Sequence, residues 1–343
     1  MRRLSFLNKI VFAINLVFAI LLFLACFSPY LSVRTFSFLP FLGLSVPALV
    51  IINLLFFGYW SLRRKKQLSV SLSALLVGYI TLGTFVRFDG GNVEISDDDI
   101  TILSYNVREF NKERNIDSET IFEDIKTFVE EQNPDIVCFQ ESINLNRITG
   151  YDDYGYKYVA NKGDEIKTRL SVFSKYPIVE AEILRFPNTK NNASYADIVV
   201  KNDTIRVYNL HMQSLGITPG MGTISSNSPK TLYAKLAAKF KKQEEQARYI
   251  AEHSSAVDHK TIVCGDFNNN QFSRTYHLVK GNNIDSFDEK GLGYGRTFKF
   301  HRIPTRIDFI LVDPTFEITS HKNFDQEYSD HYPIMASFRL KED

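Results

Sequence analysis

Three charge-free stretches near the start of the chain, each close to 20 residues long, constrain this protein more than anything that follows them. They are Val11–Leu31, Phe38–Trp60 and Leu68–Val86. As helix, about 20 residues at ~1.5 Å rise each span the ~30 Å hydrocarbon core of a bilayer. The spacing therefore predicts three transmembrane helices, at about 11–31, 38–60 and 68–88. A cleaved signal peptide would account only for the first, with Arg2 and Arg3 as its basic end. Its apolar region is too long for that, no small-residue cleavage site is evident, and two more stretches follow.

The charge balance of the 343 residues hides this division: 40 Lys+Arg against 39 Asp+Glu give +1. Residues 1–95 carry nine basic and two acidic residues, a sum of +7, which leaves −6 for 96–343. Basic residues mark the cytoplasmic side of a membrane protein. Arg2, Arg3 and Lys9 precede the first stretch, and Arg63-Arg64-Lys65-Lys66 separate the second from the third. With both clusters inside the cell and three spans, the chain from residue 96 onward is expected on the non-cytoplasmic side of the cytoplasmic membrane. The expected division is a membrane anchor over 1–95 and one catalytic domain over 96–343. Three cysteines exclude a disulfide framework and a Cys-rich zinc site.

Beyond residue 100 the pattern turns to short β-branched and aromatic runs. Ile100–Val107, Asp135–Gln140, Arg169–Ser174, Ala193–Val200, Thr204–Leu210, Thr261–Gly265, Arg306–Val312 and Tyr332–Leu340 read as strands. Lys201-Asn202-Asp203 reads as a hairpin turn. Ser118–Gln132 and Leu232–Glu252 have apolar residues at helical spacing. Ser214–Pro229, rich in Gly, Ser, Thr and Pro, reads as a mobile loop. So many strands with few helices predict packed sheets with helices outside, in an α/β domain.

Polar residues fall where these strands end. Asn106, Glu141, His211 and Asp266 each follow an apolar run, with Asn268 two residues on. Asp308 heads another run, and Asp330-His331 opens the last. A carboxylate at the rim of a core costs several kcal/mol if buried without a partner, so many such ends point to convergence on a cation. The oxygen donors Asn106, Glu141, Asp266, Asn268, Asp308 and Asp330 favour Mg²⁺, with Mn²⁺ as a substitute, over zinc. A hard cation with His and Asp beside it suits phosphate-ester hydrolysis. Singly, each of these residues is as well explained by a turn, a cap or a solvated rim charge; their joint order carries the argument.

That order resembles the endonuclease/exonuclease/phosphatase superfamily, the DNase I-like fold. The resemblance rests on Ser104-Tyr105-Asn106, Phe139-Gln140-Glu141, Asn209-Leu210-His211, Gly265-Asp266-Phe267-Asn268, Arg306-Ile307-Asp308 and Ser329-Asp330-His331. It implies a four-layer α/β sandwich: two packed mixed β-sheets flanked by helices, with the site at one end. It also implies Glu141 as the principal Mg²⁺ ligand, helped by Asn106 and Asp330. By the same resemblance His331, oriented by Asp308, is the phosphate-binding or acid/base histidine. Asp266 positions or deprotonates water, Asn268 holds it and a phosphate oxygen, and His211 contacts the phosphate or leaving group.

The expected activity is a membrane-anchored, Mg²⁺-dependent hydrolysis of phosphodiesters, with nucleic acid as one substrate class. The −6 sum of residues 96–343 argues against a dedicated duplex binder. Lys235, Lys239, Lys241 and Lys242, or Lys299, His301 and Arg302, are the local basic groups that could serve one. The alternative keeps the chemistry and takes a phospholipid or a small phosphoester. A non-catalytic sensor on the same fold is disfavoured, because none of the motif residues is missing. No protein partner can be inferred.

Overall fold

Alternation with period two, set by the β-strand itself, decides where the polar strand ends go. The computed structural model describes residues 4–83, 86–91, 96, 98–111, 120–142, 151–160, 169–216, 228–300 and 303–341. Asp97, His301, Arg302 and most of the expected 214–229 loop, residues 217–227, lie outside the described residues. The chain divides into two units: residues 1–85 with 269–277, and residues 86–268 with 278–343.

The first unit holds α1 (Phe6–Ala25), α2 (Leu39–Leu62) and α3 (Leu68–Leu82). Among the described residues only α1 and α2, of 20 and 24 residues, are long and apolar enough to cross a membrane. The expected third span is thereby corrected: α3 has 15 residues, about 22 Å of helix at 1.5 Å per residue. Buried polar groups tie the three helices together. Asn15 Nδ2 donates to Ser71 Oγ (2.6 Å), Trp60 Nε1 donates to Asn15 Oδ1 (2.9 Å), and Tyr59 Oη donates to Asn8 Oδ1 (2.7 Å).

The second unit is built on two six-stranded sheets. One contains β1 (Ile100–Asn106), β2 (Ile136–Gln140), β3 (Tyr156–Val159), β4 (Ser171–Ser174), β13 (Phe316–Asn323) and β14 (Ile334–Leu340). Its order is β13-β14-β1-β2-β4-β3, and only β1 and β2 run parallel. The other contains β5 (Ile178–Arg185), β6 (Asn192–Val200), β7 (Asp203–His211), β8 (Lys260–Asp266), β9 (Ile284–Asp285) and β12 (Asp308–Val312). Its order is β5-β6-β7-β8-β12-β9, with β7 and β8 as the parallel pair. A hairpin of β10 (Phe298–Phe300) and β11 (Ile303–Thr305) completes the strands among the described residues.

Helix α4 (Ile121–Gln132) covers the first sheet. Ile121, Ile125, Phe128 and Val129 share one face and pack on Leu103, Val137, Phe139 and Phe173. Asn133, left-handed at φ 47°, ends the helix ahead of Pro134. Helix α5 (Pro229–Ser255) starts on an Ser228 cap with Pro in its first turn and covers the second sheet. Its His253 ring nitrogen Nδ1 sits 2.8 Å from Tyr208 Oη. The expected layered sandwich of two mixed sheets flanked by helices is the fold observed.

Between the sheets lies an apolar layer of Ile102, Ile136, Val207, Ile262 and Ile310, with Cys138 and Cys264 beyond them toward one end. Stepping two residues along each strand stays in this layer and reaches Ser104, Gln140 and Asn209, then Asn106, His211 and Asp266. The layer thus grades from hydrocarbon to thiol to amide to acid. The parallel pairs bring their C-terminal ends to one rim, and β12 and β14, antiparallel to β8 and β1, bring their N-terminal ends to it. Register then sets Asn106 beside Gln140, and His211 and Asp308 on either side of Asp266.

Candidate active site

Asp266 is the hub of this rim. Its Oδ2 accepts from Asn106 Nδ2 (3.0 Å) and Asn268 Nδ2 (3.1 Å), and its Oδ1 accepts from the Asn268 backbone N–H (2.7 Å). Two imidazoles approach the same oxygen: His331 Nε2 at 3.6 Å and His211 Nε2 at 3.7 Å. His211 Nε2 also lies 3.4 Å from Glu141 Oε1. His331 Nδ1 is 2.9 Å from Asp308 Oδ2. Of the eight residues singled out in sequence, seven are thus joined by direct contacts, and Asp330 is adjacent to His331. Ser329 binds the remaining edge, its Oγ donating to the Asn106 carbonyl (2.8 Å).

Backbone conformation aims several of these groups. Glu141 and Asn268 are left-handed, at φ 55° and 51°, a region that costs a non-glycine residue free energy and persists where surroundings enforce it. The Glu141 carbonyl accepts from Glu109 N–H (2.8 Å). Gly265 is required by close approach: at φ +125° a Cβ there would lie 2.2 Å from the Leu210 carbonyl oxygen of the neighbouring strand.

Burial and charge separate the groups chemically. Burial resists charge on His331, yet Asp308, Asp266 and Asp330 outweigh it and hold its pKa up at about 10, so the ring is an imidazolium at neutral pH. Burial pushes His211 down, helped by the His331 charge, and leaves it neutral there. Burial, reinforced by Asp308, raises Asp266 to about 6 against the opposing pull of the two histidines. Burial also raises Glu141. One ring is thus positioned as an acid and one carboxylate as a base near neutrality.

Two places at the rim offer metal ligands. Ligand atoms of Asp266, Asp308 and His331 lie within 4.8 Å of one another, but a protonated His331 bonded to Asp308 has no lone pair to give. Glu141, Asn106 and Asp330 offer oxygen, and charge favours this side. Negative charge is in excess there: Glu141, Asp266, Asp308 and Asp330, with Glu109 close enough to act on Glu141, face His331 and Arg108, whose Nη1 pairs with Asp330 Oδ2 at 2.8 Å. That excess suits a cation, and hard oxygen donors suit Mg²⁺ or Mn²⁺. The donor set fits the group that the motifs imply.

Sequence reasoning missed Arg108, Thr297 and Phe298. Thr297 Oγ1 accepts from the backbone N–H of Ile307 and Asp308 (2.9 and 3.0 Å) and so fixes the start of β12. The Phe298 ring centroid lies 4.8 Å from that of His331. Arg108 stands two residues after Asn106, a signal available in sequence; Thr297 and Phe298 precede β12 in a run without periodicity.

A rim of carboxylates, amides and paired histidines on two stacked mixed sheets defines a phosphoric ester hydrolase. The profile of the Endonuclease/Exonuclease/phosphatase family matches residues 103–331, and the chain belongs to that family. Residues 8–85 match a separate domain family of unknown function. Among curated proteins, none matches by sequence. Solved structures share the fold. TDP2 from D. rerio, complexed with a single strand DNA product, is 15% identical with a TM-score of 0.54, covering 71% of this chain and 100% of its own. The endonuclease/exonuclease/phosphatase from Bacteroides vulgatus is 17% identical, TM-score 0.54, covering 71% and 99%. A mannosyl-6-phosphatase from Bacteroides thetaiotaomicron is 19% identical, TM-score 0.50, covering 70% and 100%.

Proposed function

We propose that this protein is a membrane-anchored, divalent-metal-dependent hydrolase of phosphodiester bonds. The observation that carries the reading is the contact of Asp266 Oδ2 with Asn106, His211 and His331 within 3.7 Å, at one rim. Glu141, Asn106 and Asp330 would hold Mg²⁺, which supplies Lewis acidity toward a phosphoryl oxygen. Asp266, ionised above about pH 6, takes the proton of the attacking water, and Asn268 orients that water. His331, kept charged by Asp308 at Nδ1, has its Nε2–H free to donate a proton to the leaving oxygen. His211, neutral, donates through Nε2 at the edge nearest Glu141.

A second substrate reading is favoured by charge. The sum of −6 over residues 96–343 suits a phospholipid head group or small phosphoester better than a long polyanion, and an anchor raises the local concentration of lipid. The two related structures named for DNA and for a sugar phosphate span both choices. Purified full-length protein in detergent, given Mg²⁺ or EDTA, is to be tested on plasmid DNA, phospholipid vesicles and a sugar phosphate. Metal-dependent cleavage of DNA or phospholipid establishes diester hydrolysis and selects the substrate; cleavage of the sugar phosphate alone would make the enzyme a monoesterase, and none with any metal would end the proposal.

The anchor also supports an orientation. Tyr59 near the end of α2 bonds Asn8 near the start of α1, so Lys9 and the Arg63–Lys66 cluster lie toward one face. Although short, α3 runs alongside α1 from Asn15–Ser71 to Tyr30, whose hydroxyl donates to the Thr81 carbonyl (3.0 Å). It therefore ends level with the α1–α2 turn, away from Lys9 and Arg63–Lys66, and on that placement, rather than on a third full span, rests the proposal that the catalytic domain is non-cytoplasmic. A C-terminal reporter active only in the cytoplasm would reverse this.

A further inference from the structure

Sorting the rim by sheet divides it in two. Asn106, Glu141, Asp330 and His331 belong to strands or flanks of the first sheet, and His211, Asp266, Asn268 and Asp308 to the second. On the proposed reading, the metal ligands and the acid His331 stand on the first sheet and the base Asp266 with His211 on the second, so catalysis depends on how the sheets are aligned at this end. Apolar contacts do not fix that: Ile and Val side chains between sheets attract without direction.

One rung below the rim, two buried amides do. Gln140 Nε2 donates to Asn209 Oδ1 across the layer (2.8 Å) and to Ser104 Oγ (3.2 Å). Asn209 Nδ2 donates to the Phe139 carbonyl (3.0 Å) and the Ser171 carbonyl (3.1 Å), both in the first sheet. All three bonds of the Asn209 side chain therefore cross between sheets, and both amides are completely buried. The fold tolerates a cost for this, because Gln140 Oε1 has no hydrogen-bond partner among the described residues. Gln140 is followed directly by Glu141. Asn209 is two residues from His211 and on the same face of β7. The 2.8 Å amide contact thus underlies the 3.4 Å approach of His211 to Glu141.

We propose that Gln140 and Asn209 are positioning residues, an inter-sheet bolt that sets the metal ligands of the first sheet against the base Asp266 and His211 of the second. The inference rests on the phosphoesterase reading above. Removing one amide strands its partner, whereas replacing both by apolar groups of similar shape removes that penalty. Gln140→Met, Asn209→Leu and the double variant are therefore compared with wild type as full-length proteins in detergent. The measurements are melting temperature, Mn²⁺ affinity by calorimetry, and kcat and KM on bis(p-nitrophenyl) phosphate. In the double variant, melting and Mn²⁺ affinity are expected to stay near wild type, since the metal side lies within one sheet. Its kcat is expected to fall about 100-fold, as for a misplacement of order 1 Å, with KM unchanged.

If a single variant does not fold, the double variant carries the comparison. Wild-type kcat in a folded double variant overturns the proposal. So does a parallel loss of melting temperature, Mn²⁺ affinity and kcat, which would make the pair a packing element only. Failure of wild type itself to hydrolyse any phosphoester would instead strike the phosphoesterase reading.

Discussion

Asn106 Nδ2 lies 3.0 Å from Asp266 Oδ2, a hydrogen bond between residues 160 positions apart that joins the rims of the two sheets. Through it the amide is shared between Asp266 and, more distantly at 3.5 Å, Glu141 Oε1. The two carboxylates with the most different assigned tasks are thus neighbours of one side chain, and substitutions at each should separate.

Glu141→Gln keeps shape and removes the charge opposite the candidate ion. Turnover is expected to fall by several orders of magnitude, and Mn²⁺ affinity in calorimetry to drop with it. Unchanged metal affinity in a folded Glu141→Gln protein would place the ion elsewhere on the rim.

Asp266 gives a pH signature of definite sign. As the base it must be ionised, so kcat/KM should rise with pH through about 6. Its folded-state pKa lies above the ordinary value, so the native state binds the proton more tightly than the unfolded chain. The stability this contributes is complete below about pH 4, the unfolded range, and lost as pH rises through about 6. Asp266→Asn should therefore be inactive yet melt higher than wild type at pH 8, by roughly 2–4 °C per kcal/mol recovered. The gain should vanish at pH 4.

Asp308→Asn removes the nearest negative charge on His331. The imidazolium then deprotonates below the value of about 10 that it has beside the carboxylate, and the alkaline limb of the pH–rate profile should move down. An unmoved limb would assign it to another group.

Gly265→Ala should prevent folding of the catalytic unit. The added methyl would meet main chain on β7, 2.2 Å from the Leu210 oxygen and 2.7 Å from its nitrogen, and main chain cannot rotate aside. Soluble, normally melting Gly265→Ala protein would contradict the strand spacing.

Arg206→Met tests the far end of the same sheet. Arg206 Nε and Nη2 each lie 2.6 Å from Asp197, and the guanidinium stacks over the Tyr195 ring at 3.9 Å. Losing it leaves Asp197, 2% exposed, with only the His259 imidazole at 3.8 Å, a buried charge poorly compensated and expected to cost about 3 kcal/mol. Adding Asp197→Leu should restore much of that in a thermal melt.

The strands legible in sequence and those not legible differ in place, not in strength of pairing. All eight expected strands are the interior strands of the two sheets. The four edge strands, β3, β5, β9 and β13, escaped notice. Edge strands are often kept polar against stray pairing, and β5 reads as Ile-Val-Glu-Ala-Glu-Ile-Leu-Arg with much of its surface exposed, whereas β13 is mostly buried but carries Thr-Ser-His-Lys-Asn in place of an apolar run. The third apolar stretch misled in the opposite direction: its composition fits a membrane, but the helix ends at Leu82, before Gly83 at φ 75°.

What the chain settles alone is local. Period-two runs that end in acids, amides or histidine specify interior strands with a polar tip, and long uncharged runs specify apolar helices. Which tips meet is not local. That was decided by the two parallel pairs, the antiparallel return of β12 and β14, and the face-to-face stacking of the sheets. These bring residues from 106 to 331 within hydrogen-bonding reach. The proton affinities follow from that meeting, because burial and neighbouring charge act over a few ångströms of space and take no account of distance along the chain.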